Sequence, residues 1–300
     1  MCNIIFVGDV HLKGSSPISR KDDYPEVILN KLLYIADCAE ELDCKYIFFL
    51  GDIFDTVNTS IQYFSHALGV FKSIRDKGIE LYTIVGNHDI RYNSMDSFPY
   101  TPLGILVNSG IMKLLDEIII DDDIYIKGFH YPNEITPNKH DDLYSIVLLH
   151  RFYESGFNEV PVTREDVINL GYDSYILGHD HRPYITQDIY NDGRNIKVIR
   201  TGSVARNSSD QYNRMRKPRF LIFDTESKEY TYQEVQSENG IDVFFEQQIE
   251  APMVSMKELV DYLQSSYHTS NNSIRDYLNG AVIPDDVKSL IDSYLNILGA

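Results

Sequence analysis

The chain has 300 residues, is 43% hydrophobic and carries a formal net charge of −18. That apolar share is enough for one large α/β core and excludes wholesale disorder, and no apolar run approaches the ~20 residues that span a bilayer. The acidic balance disfavours unaided binding to a nucleic-acid backbone. Cys2, Cys38 and Cys44 lack metal-site spacing. They read as reduced thiols, and Ile4-Ile5-Phe6-Val7 follows the N-terminus with no leader pattern, so a cytoplasmic protein is expected.

In chain order, strand-like Asn3–Val7 ends at Gly8-Asp9-Val10-His11, and a polar loop runs to Tyr24. Pro25 opens a helix with Ile28, Leu32, Ile35 and Ala39 on one stripe. Tyr46–Leu50 is a second strand and ends at Gly51-Asp52-Ile53-Phe54-Asp55. Ile61, Phe64, Leu68, Phe71 and Ile74 mark a helix that stops at Gly78. Leu81–Val85 is a third strand, ending at Gly86-Asn87-His88-Asp89. Glu117–Ile120 and Ile124–Lys127 flank Asp121-Asp122-Asp123, which reads as a solvated hairpin turn. Tyr144–Leu149 leads to His150; Thr163–Asp166 caps a short helix that stops at Gly171; Tyr175–Leu177 leads to Gly178-His179-Asp180-His181. Ile196–Thr201, Arg219–Asp224, Glu229–Val235 and Asp242–Ile249 read as strands of a second sheet. After Pro252 the pattern is helical, with an amphipathic stripe from Val287 to Leu298. The predicted architecture is α/β: two mixed β-sheets packed in a sandwich flanked by helices over residues 1–250, then a small helical appendage over 251–300. The appendage either packs on its own chain or docks a partner.

Five clusters stand at carboxyl ends of predicted strands: Asp9/His11, Asp52/Asp55, Asn87/His88/Asp89, His150 and His179/His181. In open α/β sheets ligands bind at that edge. Glycine precedes four of the clusters, giving the backbone freedom to turn there. The residues offer carboxylate, amide oxygen and imidazole but no sulfur, which suits Mn, Fe or Zn. A single histidine at a strand end is usually only a satisfied histidine, but five such clusters at one edge are not explained that way. Seven ligands are too many for one ion and about right for two, with a carboxylate as bridge. Paired ions serve in-line displacement at phosphorus.

These motifs, in this order, resemble those of the calcineurin-like metallophosphoesterases, over roughly residues 1–205. The resemblance implies one ion held by Asp9, His11, Asp52 and His181, and a second held by Asp52, Asn87, His150 and His179, with Asp52 shared. It implies two divalent metal ions, Mn first, with Fe, Zn or Mg as alternatives. His88 would stand beside the scissile phosphate as a catalytic group without being a ligand. Asp55 and Asp89 would orient histidines. Gly51–Asp55, Gly86–Ile90, Leu148–His150 and Thr201-Gly202-Ser203 look most like the SbcD-type DNA repair nucleases, including phage relatives. Those act as dimers with an ABC-type ATPase subunit of the SbcC kind. This chain has no Gly-x-x-x-x-Gly-Lys-Ser/Thr loop, so any ATP use would be a partner's. The resemblance departs at the C-terminal side, where about fifty residues follow Pro252 and the family's capping domain is expected to be missing or much reduced.

From Arg182 to Arg219 nine Arg/Lys face three Asp, an excess near +6 against near −24 for the rest. That stretch is either a solvated loop face or a grip on a phosphate backbone. Arg206, Arg182 and Arg20 are the substrate-binding candidates, and His130 in Gly128-Phe129-His130-Tyr131 is either a substrate-facing or an ordinary loop histidine. The expected activity is metal-dependent hydrolysis of DNA phosphodiesters, as exonuclease or endonuclease in recombination repair. The rivals are a phosphoesterase of nucleotides or other small molecules, and a largely non-catalytic subunit that binds DNA or an ATPase. The expected partners are DNA, the ATPase and a second copy of the chain, with no membrane.

Overall fold

The computed structural model describes residues 3–154, 160–182 and 184–245. The predicted helical appendage over 251–300 lies outside them. Strand β1 (Asn3–Val7) leads into helix α1 (Tyr24–Glu41), then β2 (Tyr46–Phe49), α2 (Ile61–Asp76) and β3 (Glu80–Thr83). Two 3₁₀ turns, Asn87–Asp89 and Met95–Tyr100, precede α3 (Pro102–Asn108) and β4 (Lys113–Leu114). Next come β5 (Glu117–Ile120), β6 (Ile124–Phe129), β7 (Tyr144–His150), α4 (Arg164–Leu170) and β8 (Ser174–Gly178). The last described elements are β9 (Tyr184–Asn191), β10 (Arg194–Arg200), α5 (Gln211–Met215), β11 (Arg219–Asp224), β12 (Tyr230–Glu234) and α6 (Gly240–Val243).

Two six-stranded mixed sheets result, ordered β12-β11-β1-β2-β3-β4 and β5-β6-β7-β8-β10-β9. In the first, β1 to β4 run parallel while β11 and β12 add antiparallel at the free side of β1. In the second, β6, β7, β8 and β10 run parallel between antiparallel β5 and β9. The period of two along each strand divides the side chains between faces. Ile4 and Phe6 of β1 join Phe48, Leu148, Ile176 and Ile199 in the layer between the sheets. Ile5 and Val7 face the other way and pack with Ile28, Leu32 and Phe71 of α1 and α2. A third cluster, with Val147, Leu149, Tyr175 and Val167, covers the outer face of the second sheet. The strands are apolar on both faces because both faces are covered.

Three expectations change. Arg219–Asp224 and Glu229–Val235 were expected in the second sheet; they extend the first, because the buried edge of β1 needs a partner and β11 supplies it from Asn3↔Asp224 to Phe6↔Leu221. Asp242–Ile249 is not a strand where it is described. Gly240–Val243 is a helical turn packed against the backbone of Arg214, where a Cβ on Gly240 would meet the Arg214 carbonyl, and Phe244 makes one bridge to Arg20. Residues 246–249 lie outside the described residues. The basic stretch after His181 is not a loop throughout: the strand expected over Ile196–Thr201 is there as β10, and β9 pairs with it as a hairpin. Its turn signal was in the sequence: Asp192 and Gly193 both take positive φ, as a tight Asp-Gly hairpin turn requires.

Candidate metal centre

The carboxyl ends of β1, β2, β3, β7 and β8 deliver all five clusters to one place. Two triads form: Asp9, His11 and His181, and Asp52, His150 and His179, each with one donor atom per residue within 4.8 Å of the others. His11, Asp52 and His88 make a third overlapping group. The Nε2 atoms of His11 and His181 stand 3.0 Å apart, and His150 Nε2 stands 3.0 Å from Asn87 Oδ1. Asp52 Oδ2 lies 3.7 Å from His11 Nε2 and 3.3 Å from His150 Nε2, so it faces both triads. Metal bonds of about 2.0–2.2 Å leave adjacent ligands about 3.0–3.5 Å apart, and the donor set fits that spacing. The other oxygen, Oδ1, accepts the His88 amide at 2.9 Å, which fixes the carboxylate with Oδ2 toward both histidines.

The backbone bends sharply to bring these groups together. Asp9, His11, Asp52 and His179 all take positive φ, at 25°, 50°, 49° and 78°. Non-glycine residues rarely adopt that region, and it costs of order 1–3 kcal/mol each. His179 and His181 are one residue apart, yet the bend at His179 sends them to different triads, where a straight strand would have paired them on one face. Gly51 has φ +85°, and a Cβ there would lie 2.6 Å from Gly86 N. At Gly86 a Cβ would meet Asp52 Oδ1.

In three of the imidazoles the second nitrogen faces a protein oxygen. His150 Nδ1 donates to Leu50 O at 2.6 Å, turning Nε2 inward. His11 Nδ1 faces Asp55 Oδ1 at 3.5 Å, and Asp55 is also held by Lys13 at 2.9 Å. His88 is exposed, and its Nδ1 donates to Asp55 O at 2.6 Å, which leaves Nε2 unengaged by that bond. Asp89 differs from expectation. It orients no histidine; its carboxylate accepts the amides of Asp52 at 2.8 Å, Ile53 at 3.1 Å and Gly86 at 2.9 Å. It therefore ties the loop after β2 to the loop after β3, and does so because those turned amides have no ladder partner.

The electrostatics call for added positive charge. Burial, then the Asp52 carboxylate among other charges, pushes Asp9 up to about 6, although Asp9 accepts the His179 amide at 3.0 and 3.2 Å. Burial also works against the charged form of Asp52, but His150 beside it prevails and holds the carboxyl well below its ordinary range. Conversely, burial disfavours protonated His150, yet Asp52 and Asp9 outweigh it and hold the imidazole up at about 10. Burial and the neighbouring His11 push His181 down to about 3. Asp89 rises to about 7 through burial and the Asp52 charge. Buried carboxylates crowded against one another among imidazoles make a cation-seeking site.

The substrate-binding candidates mostly fall elsewhere. Arg206 is 1% exposed and donates to Glu238 O at 2.7 Å, so it cannot touch a substrate from where it stands. Arg20 is 4% exposed and bound to Asp22 and to Arg206 O. Both are expected to reach substrate from the sequence, and the fold buries them instead. Arg182 is exposed but bidentate to Asp180, which also pairs with Arg200. His130 is half-buried at the end of β6, its Nδ1 accepts the Val85 amide at 3.3 Å, and burial lowers it to about 4. The other basic residues of 182–219 are likewise engaged. Arg194 pairs with Asp173, Lys197 with Glu229, Lys217 and Arg219 with Glu234, and Arg214 and Arg216 with backbone carbonyls. Sequence reasoning missed Lys31, whose one signal was a lysine beside Ile28, Leu32 and Ile35 on the buried stripe of α1.

The calcineurin-like phosphoesterase family model matches residues 2–183. A probable cyclic nucleotide phosphodiesterase of Psychrobacter arcticus is 24% identical over 125 residues, which cover 40% of this chain and 43% of that relative. A hypothetical protein of Pyrococcus horikoshii OT3, solved by crystallography, aligns over 81% of this chain and 91% of its own, at 14% identity and a TM-score of 0.44.

Proposed function

This chain belongs to the calcineurin-like phosphoesterase family, and from that premise we propose that it is a two-metal phosphodiesterase whose substrate is DNA. The observation that carries the two-metal reading is Asp52 Oδ2, which faces His11 on one side and His150 on the other. Asp9, His11 and His181 would hold one ion, and Asn87, His150 and His179 the other, with Asp52 shared. Two divalent ions there supply a water of lowered pKa and a clamp on phosphoryl oxygens. His88, exposed above Asp52 and oriented by Asp55 O, presents an imidazole to the phosphate or to the leaving oxygen. Its amide meanwhile holds Asp52 Oδ1, so one residue both fixes the shared carboxylate and faces the solvent side.

DNA as substrate is supported by the likeness of Gly51–Asp55 and Gly86–Ile90 to the SbcD-type nucleases. Because every Arg and Lys between 182 and 219 is engaged within the chain, the grip on a long backbone would come from a partner, an ABC-type ATPase or a second copy. A small nucleotide diester is the second reading. It is favoured by the paired state of those cations and by the name of the Psychrobacter relative.

The full chain loaded with Mn²⁺ separates the readings on four substrates: bis-p-nitrophenyl phosphate, p-nitrophenyl phosphate, a 2′,3′-cyclic nucleotide and linear duplex DNA. The proposal expects turnover of the diester over the monoester, with nucleotides released from DNA ends. Hydrolysis of the cyclic nucleotide with DNA intact would select the second reading. Monoester turnover alone would refute both.

A further inference from the structure

The backbone carbonyls of Asp9 and His181 are held by Ser203 on the strap of residues 203–206, and that of His11 by Tyr24 at the start of α1. Ser203 Oγ donates to Asp9 O at 2.7 Å, and Ser203 N donates to His181 O at 3.2 Å. Tyr24 Oη donates to His11 O at 2.8 Å. Ser203 and Tyr24 are buried, at 1% and 0% exposure. The strap is itself immobilised by an unusual device. Four successive carbonyls, of residues 203 to 206, each accept from a buried cationic side chain. Arg216 Nη1 takes Ser203 O at 2.7 Å and Arg216 Nη2 takes Ala205 O; Lys31 Nζ takes Val204 O at 2.6 Å; Arg20 Nη1 takes Arg206 O at 2.7 Å. The Arg20 guanidinium also lies over the Tyr24 ring, 4.8 Å from its centroid, so the two halves of the device touch. Gly8 closes it, since a Cβ there would meet Gly202 O.

Neither Ser203 nor Tyr24 bonds the backbone of the second triad. His150 is aimed by Leu50 O, and the Asp52 amide is held by Asp89. The triads meet through the His179 amide on Asp9 and the His11 amide on Asp52 O, so the strap acts on the second triad only through the first.

We infer that Ser203 and Tyr24 are positioning residues for one ion of the pair, the one facing Asp9, His11 and His181, and that the cationic clasp on residues 203–206 keeps them in place. This rests on the two-metal reading above. Neither residue touches the substrate or an ion; each fixes the backbone from which a ligand side chain springs. Loss of such outer support typically weakens metal affinity 10- to 100-fold. Because Ser203 and Tyr24 bond the backbone of the first triad only, the larger loss falls on that site.

The test is calorimetric titration of the metal-stripped full chain with MnCl₂. Wild type takes up two ions in two steps. Ser203→Ala weakens one step by about 10- to 100-fold and the other markedly less. Tyr24→Phe, which removes only a hydroxyl, weakens the same step and guards against a misfolded Ser203 variant. Ser203→Thr, which keeps the hydroxyl, restores the wild-type isotherm more nearly than Ala does. Equal weakening of both steps, or unchanged isotherms for both variants, overturns the inference while leaving the two-metal reading standing. Uptake of fewer than two ions by wild type overturns that reading and the inference with it.

Discussion

At the scale of residues, the centre is governed by where second atoms go. His150 offers Nε2 because Nδ1 is engaged by Leu50 O, and the His88 amide on Oδ1 helps hold Asp52 with Oδ2 toward both histidines. Gly86→Ala would drive a methyl group into Asp52 Oδ1. Displacing a group by about 1 Å can cost about 10²-fold in rate, and we expect at least that loss in kcat, measured on the diester. An alanine variant with wild-type turnover would mean that the loop after β3 yields freely. His88→Ala should lower kcat by about 10²–10⁴-fold while the metal isotherm keeps both steps. Arg206 makes the opposite case. It is buried, so Arg206→Ala should destabilise the chain by about 2–4 kcal/mol in urea denaturation, with KM for the diester unchanged. A raised KM at wild-type stability would restore Arg206 to the substrate side.

At the scale of elements, what was legible in the sequence is what has a short period. The strands ending at Asp9, Asp52, Asn87, His150 and His179 and the helices α1 and α2 were readable because apolar spacing and glycine breaks are local signals. Sheet membership was not. β11 and β12 look the same in sequence whichever sheet they join, and only the open edge of β1 decides it. The fate of the basic stretch was illegible for a related reason. Charge can be counted along a chain, but its pairing with Asp173, Asp180, Glu229 and Glu234 depends on strands folded beside it. Lys31 belongs at this scale, because α1 carries it inward toward the strap. Burial and the nearby Arg206, Arg20 and Arg216 hold its ammonium well below 10.5. Between its folded value and 10.5 the unfolded chain therefore binds more protons, and stability from this group rises with pH across that window. Lys31→Met lacks that contribution. The difference between wild-type and variant stability, followed by urea midpoints from neutral pH to pH 10, should shift in favour of wild type as pH rises. A constant difference would show that Lys31 titrates as it does unfolded.

At the scale of the whole molecule, two mixed sheets place five parallel strand ends at one edge, and that edge holds almost all of the chemistry. No described helix is long and apolar enough to cross a membrane. The chain is strongly acidic overall, and its local basic excess is neutralised at the surface or turned inward to hold the strap. A polyanionic substrate would thus meet its attraction at the metal edge and on a partner. On that account, DNA hydrolysis should depend steeply on added partner or low salt, and diester hydrolysis should not. The most direct measurement is the turnover of bis-p-nitrophenyl phosphate as Mn²⁺ is titrated into the metal-stripped chain, for wild type and for Asp52→Asn. The account predicts that wild-type turnover emerges as the second equivalent binds and that Asp52→Asn loses both the second equivalent and the activity. Full turnover at one equivalent, or an Asp52→Asn variant as active as wild type, would contradict it.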